Sequence, residues 1–241
     1  MGLREDIEKG AQTYFDGTYE ITEGTVIPDV ADIELGKTGR QLELAMMFID
    51  VRESTRIVDA FRRTTAARMY KGFLYGVAKI ARENNGQLRS FNGDGVLTAF
   101  IGDSKRTNAA KAALQMSWYC KNVLQPKLKK YFENNRQAAD LEFDFGIGIA
   151  TGTVLVVRGG IRGENNNDLV WVGNATNYAV KLSSLGSSPK HVWITEDVYK
   201  NMHESSRLGG EPKRDMWEQR VWTANNSETI YCSGWTWTPP N

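Results

Sequence analysis

Two hydrophobic periods alternate along this chain, and the switches between them mark its elements. Leu42 to Ile49 (LELAMMFI) is an apolar run with Glu43 its one charged residue, ending in Asp50, and without a helical polar face it predicts a strand buried on both sides. After the polar stretch VREST, apolar or small residues recur at Ile57, Ala60, Phe61, Ala67, Tyr70, Phe73, Leu74, Val77 and Ile80. That spacing predicts one long amphipathic helix, with Ser54 or Thr55 as its cap. Gln87 to Phe91, the dipeptides Asn92-Gly93 and Asp94-Gly95, and Val96 to Ile101 read as strand, tight turn and strand.

Thr107 to Lys130 carries a second helical pattern, which Pro126 ends or kinks. Phe143 to Val157 supplies two extended runs around Thr151-Gly152, followed by the polar loop GGIRGENNND. Leu169 to Val172 then predicts a strand, Asn174 to Leu185 a helix, His191 to Ile194 a strand, and Glu196 to Met202 a short helix. Trp217 to Trp237 alternates as a further hairpin would. Ala11 to Arg40 holds no sustained period, so residues 1–40 are expected to form an irregular arm packed on something else, such as a second subunit. Residues 41–241 then form one domain that includes the terminal hairpin. The order strand, helix, hairpin, helix, strand is that of an α+β fold of the ferredoxin-like kind, an antiparallel-rich sheet with helices on one face.

Composition narrows the function. With 241 residues, 41% hydrophobic and 24% charged, the chain can bury an ordinary globular core. A net charge of +1 provides no broad footprint for nucleic acid or an anionic membrane. The start lacks a signal-peptide core and no apolar stretch is long enough to span a bilayer, so a cytoplasmic protein is expected. Cys120 and Cys232 suggest neither a disulfide framework nor a zinc site. The acceptor sequences at Asn174 and Asn225 are unused in a chain that is not secreted. His191 and His203 stand alone and are expected to be structural.

Two acidic residues occupy special positions, Asp50 at the end of a buried strand and Asp94 in the hairpin turn. In a sheet that pairs these strands both carboxylates emerge at one end, and two hard oxygen ligands there suit Mg²⁺ or Mn²⁺. Taken singly, each has an ordinary explanation, because Asn-Gly-Asp-Gly is what a tight turn needs and a strand-ending Asp often caps the next element. Val51 to Thr55 turns from strand to helix and offers N–H groups to a triphosphate tail. Gly173 to Lys181 (GNATNYAVK) opens another helix with polar groups at Asn174, Asn177 and Lys181, the last two on one face.

Four segments together carry a specific resemblance. FIDVREST at Phe48 to Thr55, FNGDGVLTAF at Phe91 to Phe100, GIGIATGTV at Gly146 to Val154 and VGNATNYAVKL at Val172 to Leu182 resemble, in order, the signature segments of class III adenylate and guanylate cyclases. The resemblance covers roughly Leu42 to Ile194. It implies a homodimer with active sites at the interface, two divalent cations, and cyclisation of a nucleoside triphosphate with release of pyrophosphate. By position it implies that Asp50, Asp94 and the carbonyl of Val51 hold the metals, and that Arg52, Glu53, Ser54 and Thr55 hold the phosphates beside Gly93. Asn177 matches the residue that orients the ribose, with Asn174 at the start of its helix. Lys181 falls where the family has an arginine against the reacting phosphorus; it keeps the charge and loses the bidentate fork. Arg158, Arg162 or Lys213 are candidates to contribute instead.

Where adenylate cyclases read the base with a lysine and an aspartate, and guanylate cyclases with a glutamate and typically a cysteine, this chain has Ser90 and Val170. A pocket without that pair cannot reward a purine edge with charge-assisted hydrogen bonds. The substitutions, the polar arm and the Trp-rich tail resemble the pyrimidine cyclases of bacterial Pycsar antiphage systems. That resemblance implies conversion of UTP, or less often CTP, to the 3′,5′-cyclic monophosphate as an infection signal. The residues leave two alternatives open: an adenylate or other NTP cyclase, and a catalytically silent dimeric nucleotide-binding module.

Overall fold

The computed structural model describes residues 2–132, 143–163 and 165–240, so Glu164 of the polar loop lies outside the described residues. Helix α1 (Leu3–Phe15) and strand β1 (Glu20–Glu23) open the chain. Strand β2 (Thr38–Val51) leads into helices α2 (Ser54–Ala60) and α3 (Arg63–Glu83), then strands β3 (Gln87–Asn92) and β4 (Gly95–Phe100). Helix α4 (Lys105–Tyr119), a π turn (Cys120–Leu124) and α5 (Gln125–Phe132) precede strands β5 (Phe145–Gly160) and β6 (Asn167–Val172). Helix α6 (Asn174–Ser183), strand β7 (Val192–Thr195), and helices α7 (Glu196–Asn201) and α8 (Glu204–Arg207) follow. The short ladder of β8 (Leu208–Gly209) and β9 (Arg214–Asp215) and the hairpin of β10 (Glu218–Trp222) and β11 (Glu228–Ser233) complete the chain.

The chain forms two compact units, Met1–Glu43 with Thr153–Asn174, and Leu44–Gly152 with Ala175–Asn241; β2 and β5 run through both. In the larger unit the strand order is β10-β11-β7-β5-β2-β4-β3. Its β5-β2-β4-β3 portion is the order that a βαββαβ chain gives when its two halves interleave, which is the ferredoxin-like arrangement. Strand β7 joins parallel to β5, and the hairpin β10-β11 extends that edge antiparallel.

The alternating side chains of β2 explain why its central run, Leu44 to Ile49, is apolar on both faces. Ala45, Met47, Ile49 and Val51 face a core shared with Met69, Phe73, Val77 and Ile80 of α3 and Ala109, Ala113 and Met116 of α4. Leu44 and Met46, on the opposite face, are also fully buried. Strand β5 divides its faces more sharply. Phe145, Ile147 and Ile149 join the same core, whereas the intervening Gly146 and Gly148 lie under α6, where a Cβ would come within 2.0 Å of the carbonyls of Ser183 and Ala179. The glycines therefore set how closely α6 can lie against the sheet. Helices α3 and α4 form the expected one-sided layer, and α6 adds cover to the other face. The C-terminal tail returns Trp235 and Trp237 to the core, with the Trp237 N–H bonded to Leu114 O at 3.1 Å.

Three expected elements differ. The single long helix after Asp50 is two, because Phe61 leaves the helical region (φ −127°, ψ 160°) to put its ring into the core. The helix through Pro126 continues beyond it. A π turn comes first, with Gln125 N–H bonded to Cys120 O, and widens the helix where the proline ring would collide with the preceding turn. In the smaller unit the arm is partly regular. Helix α1 has no buried residue and is supported by local pairs such as Arg4 to Glu8 at 2.9 Å, while β1 pairs parallel with the start of β2. Among the described residues no helix is long and apolar enough to cross a membrane.

Candidate active site

Strand β2 carries Asp50 out of the core at the rim of the sheet. Antiparallel pairing sets Asp50 opposite Gly95, and the two-residue turn Gly93-Asp94 between β3 and β4 therefore stands beside it. Gly93 takes φ +64°, a conformation a side chain would strain. Asp94 stands close enough to Asp50 for its charge to act on the Asp50 carboxyl. Burial, followed by the Asp94 charge, raises the Asp50 carboxyl above the usual carboxylate range, opposed by Arg52 and by the Val51 N–H. Val51 itself is buried.

Arg52 turns back on this pair. Its Nη2 lies 3.2 Å from Asp50 Oδ2, and its Nε is buried without a partner. Glu53 adopts the left-handed region (φ 50°, ψ 34°) as N-cap of α2, with no side-chain cap, and its carboxylate pairs with Arg56. The expected cap by Ser54 or Thr55 is not formed, because both are already helical; their N–H groups belong to a first turn with no intrahelical acceptors. The structure also places Tyr70 of α3 here. Its hydroxyl donates to Ser54 O at 3.4 Å, and burial together with the charges of Asp94 and Asp50 raises its pKa. The sequence shows Tyr70 only as part of an apolar stripe, with no signal that it borders the acidic pair.

Asn177 and Lys181 share the outward face of α6. Both are exposed, and among the described residues neither has a side-chain partner. Lys181 is not among the charges acting on Asp50. Within one chain the structure thus brings together Asp50, Val51, Arg52 and Asp94, and among the described residues neither Asn177 nor Lys181 bonds to any of them. Ser90 sits at a bulge of β3 and donates to Asn92 Oδ1 at 3.0 Å. Val170 on β6 is exposed opposite Val157, and Asn174 is exposed at the start of α6. Arg158 is engaged, with Nε at 2.7 Å from Asn167 Oδ1 and Nη1 at 3.4 Å from Ile33 O. Together with Arg162 it lines a cleft of about 350 Å³ in the smaller unit. Lys213 is exposed in the turn between β8 and β9.

The donor set fits a hard divalent cation. Two carboxylates that repel each other at close range, one with its proton affinity already raised, are stabilised when a cation sits between them. Among the described residues no group of three or more His, Cys, Asp or Glu side chains is placed to hold a metal ion. Two carboxylates with backbone, water and phosphate oxygens are what Mg²⁺ or Mn²⁺ sites commonly use.

Comparison with known proteins identifies the family. Residues 37–215 match the family model described as the adenylate and guanylate cyclase catalytic domain. The chain is 35% identical to a uridylate cyclase of Xanthomonas perforans over 98% of its own length and 99% of the relative's. It is 33% identical to one of Burkholderia cepacia over 99% and 100%. Among solved structures, the guanylyl cyclase Cya2 superposes with a TM-score of 0.61 at 16% identity, covering 84% of this chain and 97% of that one, which speaks to the fold. The interleaved sheet, the paired aspartates at its rim and full-length similarity at these identities have one common explanation: the chain belongs to the class III nucleotide cyclases, and among them to those of the uridylate cyclase type.

Proposed function

We propose that this protein converts UTP to 3′,5′-cyclic UMP and pyrophosphate at two equivalent sites of a homodimer. The observation that carries the proposal is the convergence of Asp50 and Asp94 at the end of β2. Asp50, Asp94 and the Val51 carbonyl would hold two Mg²⁺ or Mn²⁺ ions. Bound there, the metals supply charge neutralisation on the triphosphate and acidify the attacking ribose hydroxyl. Arg52 orients the Asp50 carboxylate through its 3.2 Å contact. The N–H groups of the Glu53 to Thr55 turn donate to the phosphate oxygens beside the side-chain-free Gly93.

One chain does not join Asn177 and Lys181 to this set, so Asn177 and Lys181 of the partner subunit complete each site. The asparagine amide orients the ribose and the lysine ammonium meets charge developing on the α-phosphoryl oxygens as the 3′-oxygen attacks and pyrophosphate departs. Exposure of both side chains on one face of α6 is consistent with their being covered by a second copy. For the base, neither Ser90 nor Val170 carries a charge with which to pair a purine edge, which favours a pyrimidine. Residues 1–40 are read as an arm appended to the catalytic domain, 41–241. The likeness to Pycsar cyclases extends the reading to a cytoplasmic signal made during phage infection.

Incubation of the purified protein with each of the four NTPs and either metal, with products identified by mass, is expected to yield cyclic UMP; conversion of ATP alone overturns the pyrimidine assignment. Asp50→Ala should abolish turnover with the fold intact. Mixing inactive Asp50→Ala with inactive Asn177→Ala should restore about a quarter of wild-type activity, because half the dimers then regain one intact site.

A further inference from the structure

The segment that opens β5 has bonds that the site described above does not account for. The Asp144 carbonyl accepts the Arg52 N–H at 2.9 Å. Its carboxylate accepts the N–H groups of Phe145 at 2.9 Å and Ser188 at 3.3 Å, and lies 3.2 Å from Nδ1 of His191. His191 is 4% exposed and stacks on Phe145 with ring centroids 4.2 Å apart and planes 9° from parallel. The same Nδ1 lies 3.0 Å from Phe145 O. Both of its neighbours are acceptors, so Nδ1 carries the proton and donates to them. Two residues on, Gly146 leaves room for Arg52: a Cβ there would lie 2.9 Å from Arg52 Nη2, the atom that contacts Asp50. The start of β5 thus bounds Arg52 at both ends, its N–H through Asp144 and its guanidinium over Gly146.

We propose that Asp144 and His191 are positioning residues for the metal-holding end of β2, fixing the Asp144 carbonyl that fixes Arg52 and, through it, Val51 and the Asp50 carboxylate. This rests on the reading of Asp50 and Val51 as metal-holding groups. A hydrogen-bonded pair one layer behind a metal ligand sets the ligand's orientation, and removing such a pair typically weakens metal binding about 10- to 100-fold. A merely structural pair would alter melting temperature and leave metal affinity alone.

The test titrates the full-length protein with MnCl₂ alone, following free Mn²⁺ by electron paramagnetic resonance, with thermal melts on the same samples. His191→Phe keeps a stacked ring and removes the donor, whereas His191→Asn places an amide N–H where Nδ1 stood. His191→Phe and Asp144→Ala are expected to weaken Mn²⁺ binding about tenfold or more in folded protein, with His191→Asn recovering most of the loss. Should His191→Phe fail to fold, the partly exposed Asp144 carries the test. Asp50→Ala serves as the reference. Wild-type Mn²⁺ affinity in Asp50→Ala would sink the metal-site reading and this inference with it. Loss in Asp50→Ala with wild-type affinity in His191→Phe and Asp144→Ala would overturn the inference alone, as would equal loss in His191→Asn and His191→Phe.

Discussion

Replacing Gly148 with alanine adds a single methyl group where β5 meets α6. An added Cβ would stand 2.0 Å from Ala179 O, 2.4 Å from Ser183 N and 2.9 Å from Leu182 Cβ. Two of these are backbone atoms of a packed helix and cannot rotate away, so α6 has to lift by about 1 Å or more to reach ordinary contact in a close-packed interior. Overpacking of this kind costs about 1–3 kcal/mol, and a backbone clash belongs near 3. For a chain of this size that corresponds to a fall of about 6–12 °C in melting temperature. The same lift carries Asn177 and Lys181 with it, and a displacement near 1 Å in positioning groups costs roughly 10²-fold in turnover. Calorimetric melts give the first quantity; pyrophosphate release measured well below both midpoints gives the second. Gly36→Ala, into open space, is the control and should stay within about 0.5 kcal/mol of wild type. A Gly148→Ala protein that melts and turns over like wild type would refute the reasoning.

Other perturbations follow from the same geometry. Lys181→Ala should lower kcat about 10²-fold with little change in KM, and Lys181→Arg should retain activity; steady-state kinetics decide, and full activity in the alanine variant removes Lys181 from the chemistry. Gln115→Leu leaves buried Asn84 without its 2.7 Å partner and should cost about 1–3 kcal/mol in urea unfolding, much of it recovered when Asn84 is also made apolar. Burial alone would raise the Asp197 carboxyl, yet hydrogen bonds from Thr151, Arg106 and Asn201 hold it below the usual range. Its folded pKa is depressed, so its stabilisation is present above about pH 4 and lost as pH falls through the folded value. Asp197→Asn should accordingly be less stable than wild type at neutral pH and show a shallower loss of stability in acid, measured by urea unfolding across pH.

Much of the fold is written in local pattern. The apolar run Leu42 to Ile49 is a strand buried on both faces, and Asn-Gly-Asp-Gly makes a two-residue turn, because period and turn chemistry act over a few residues. The break at Phe61 is not visible in the pattern, since Phe61 fits the helical stripe and leaves it only to satisfy a core built by distant strands. Helix α1 was obscured for the opposite reason: its apolar residues have nothing to pack on within the described chain, and short-range ion pairs support it instead.

By itself, then, the sequence determined most element types beyond the N-terminal arm, the two aspartates as candidate ligands, and Asn177 and Lys181 as one helical face, all set by spacing along a few residues. Only the tertiary structure decided that Asp94 approaches Asp50 closely enough to raise the proton affinity of the Asp50 carboxylate, that Tyr70 and Arg52 border the pair, and that His191 backs the strand behind Arg52. These are relations between residues up to 141 positions apart, as between Asp50 and His191, and strand register and helix packing, rather than local propensity, fix such distances.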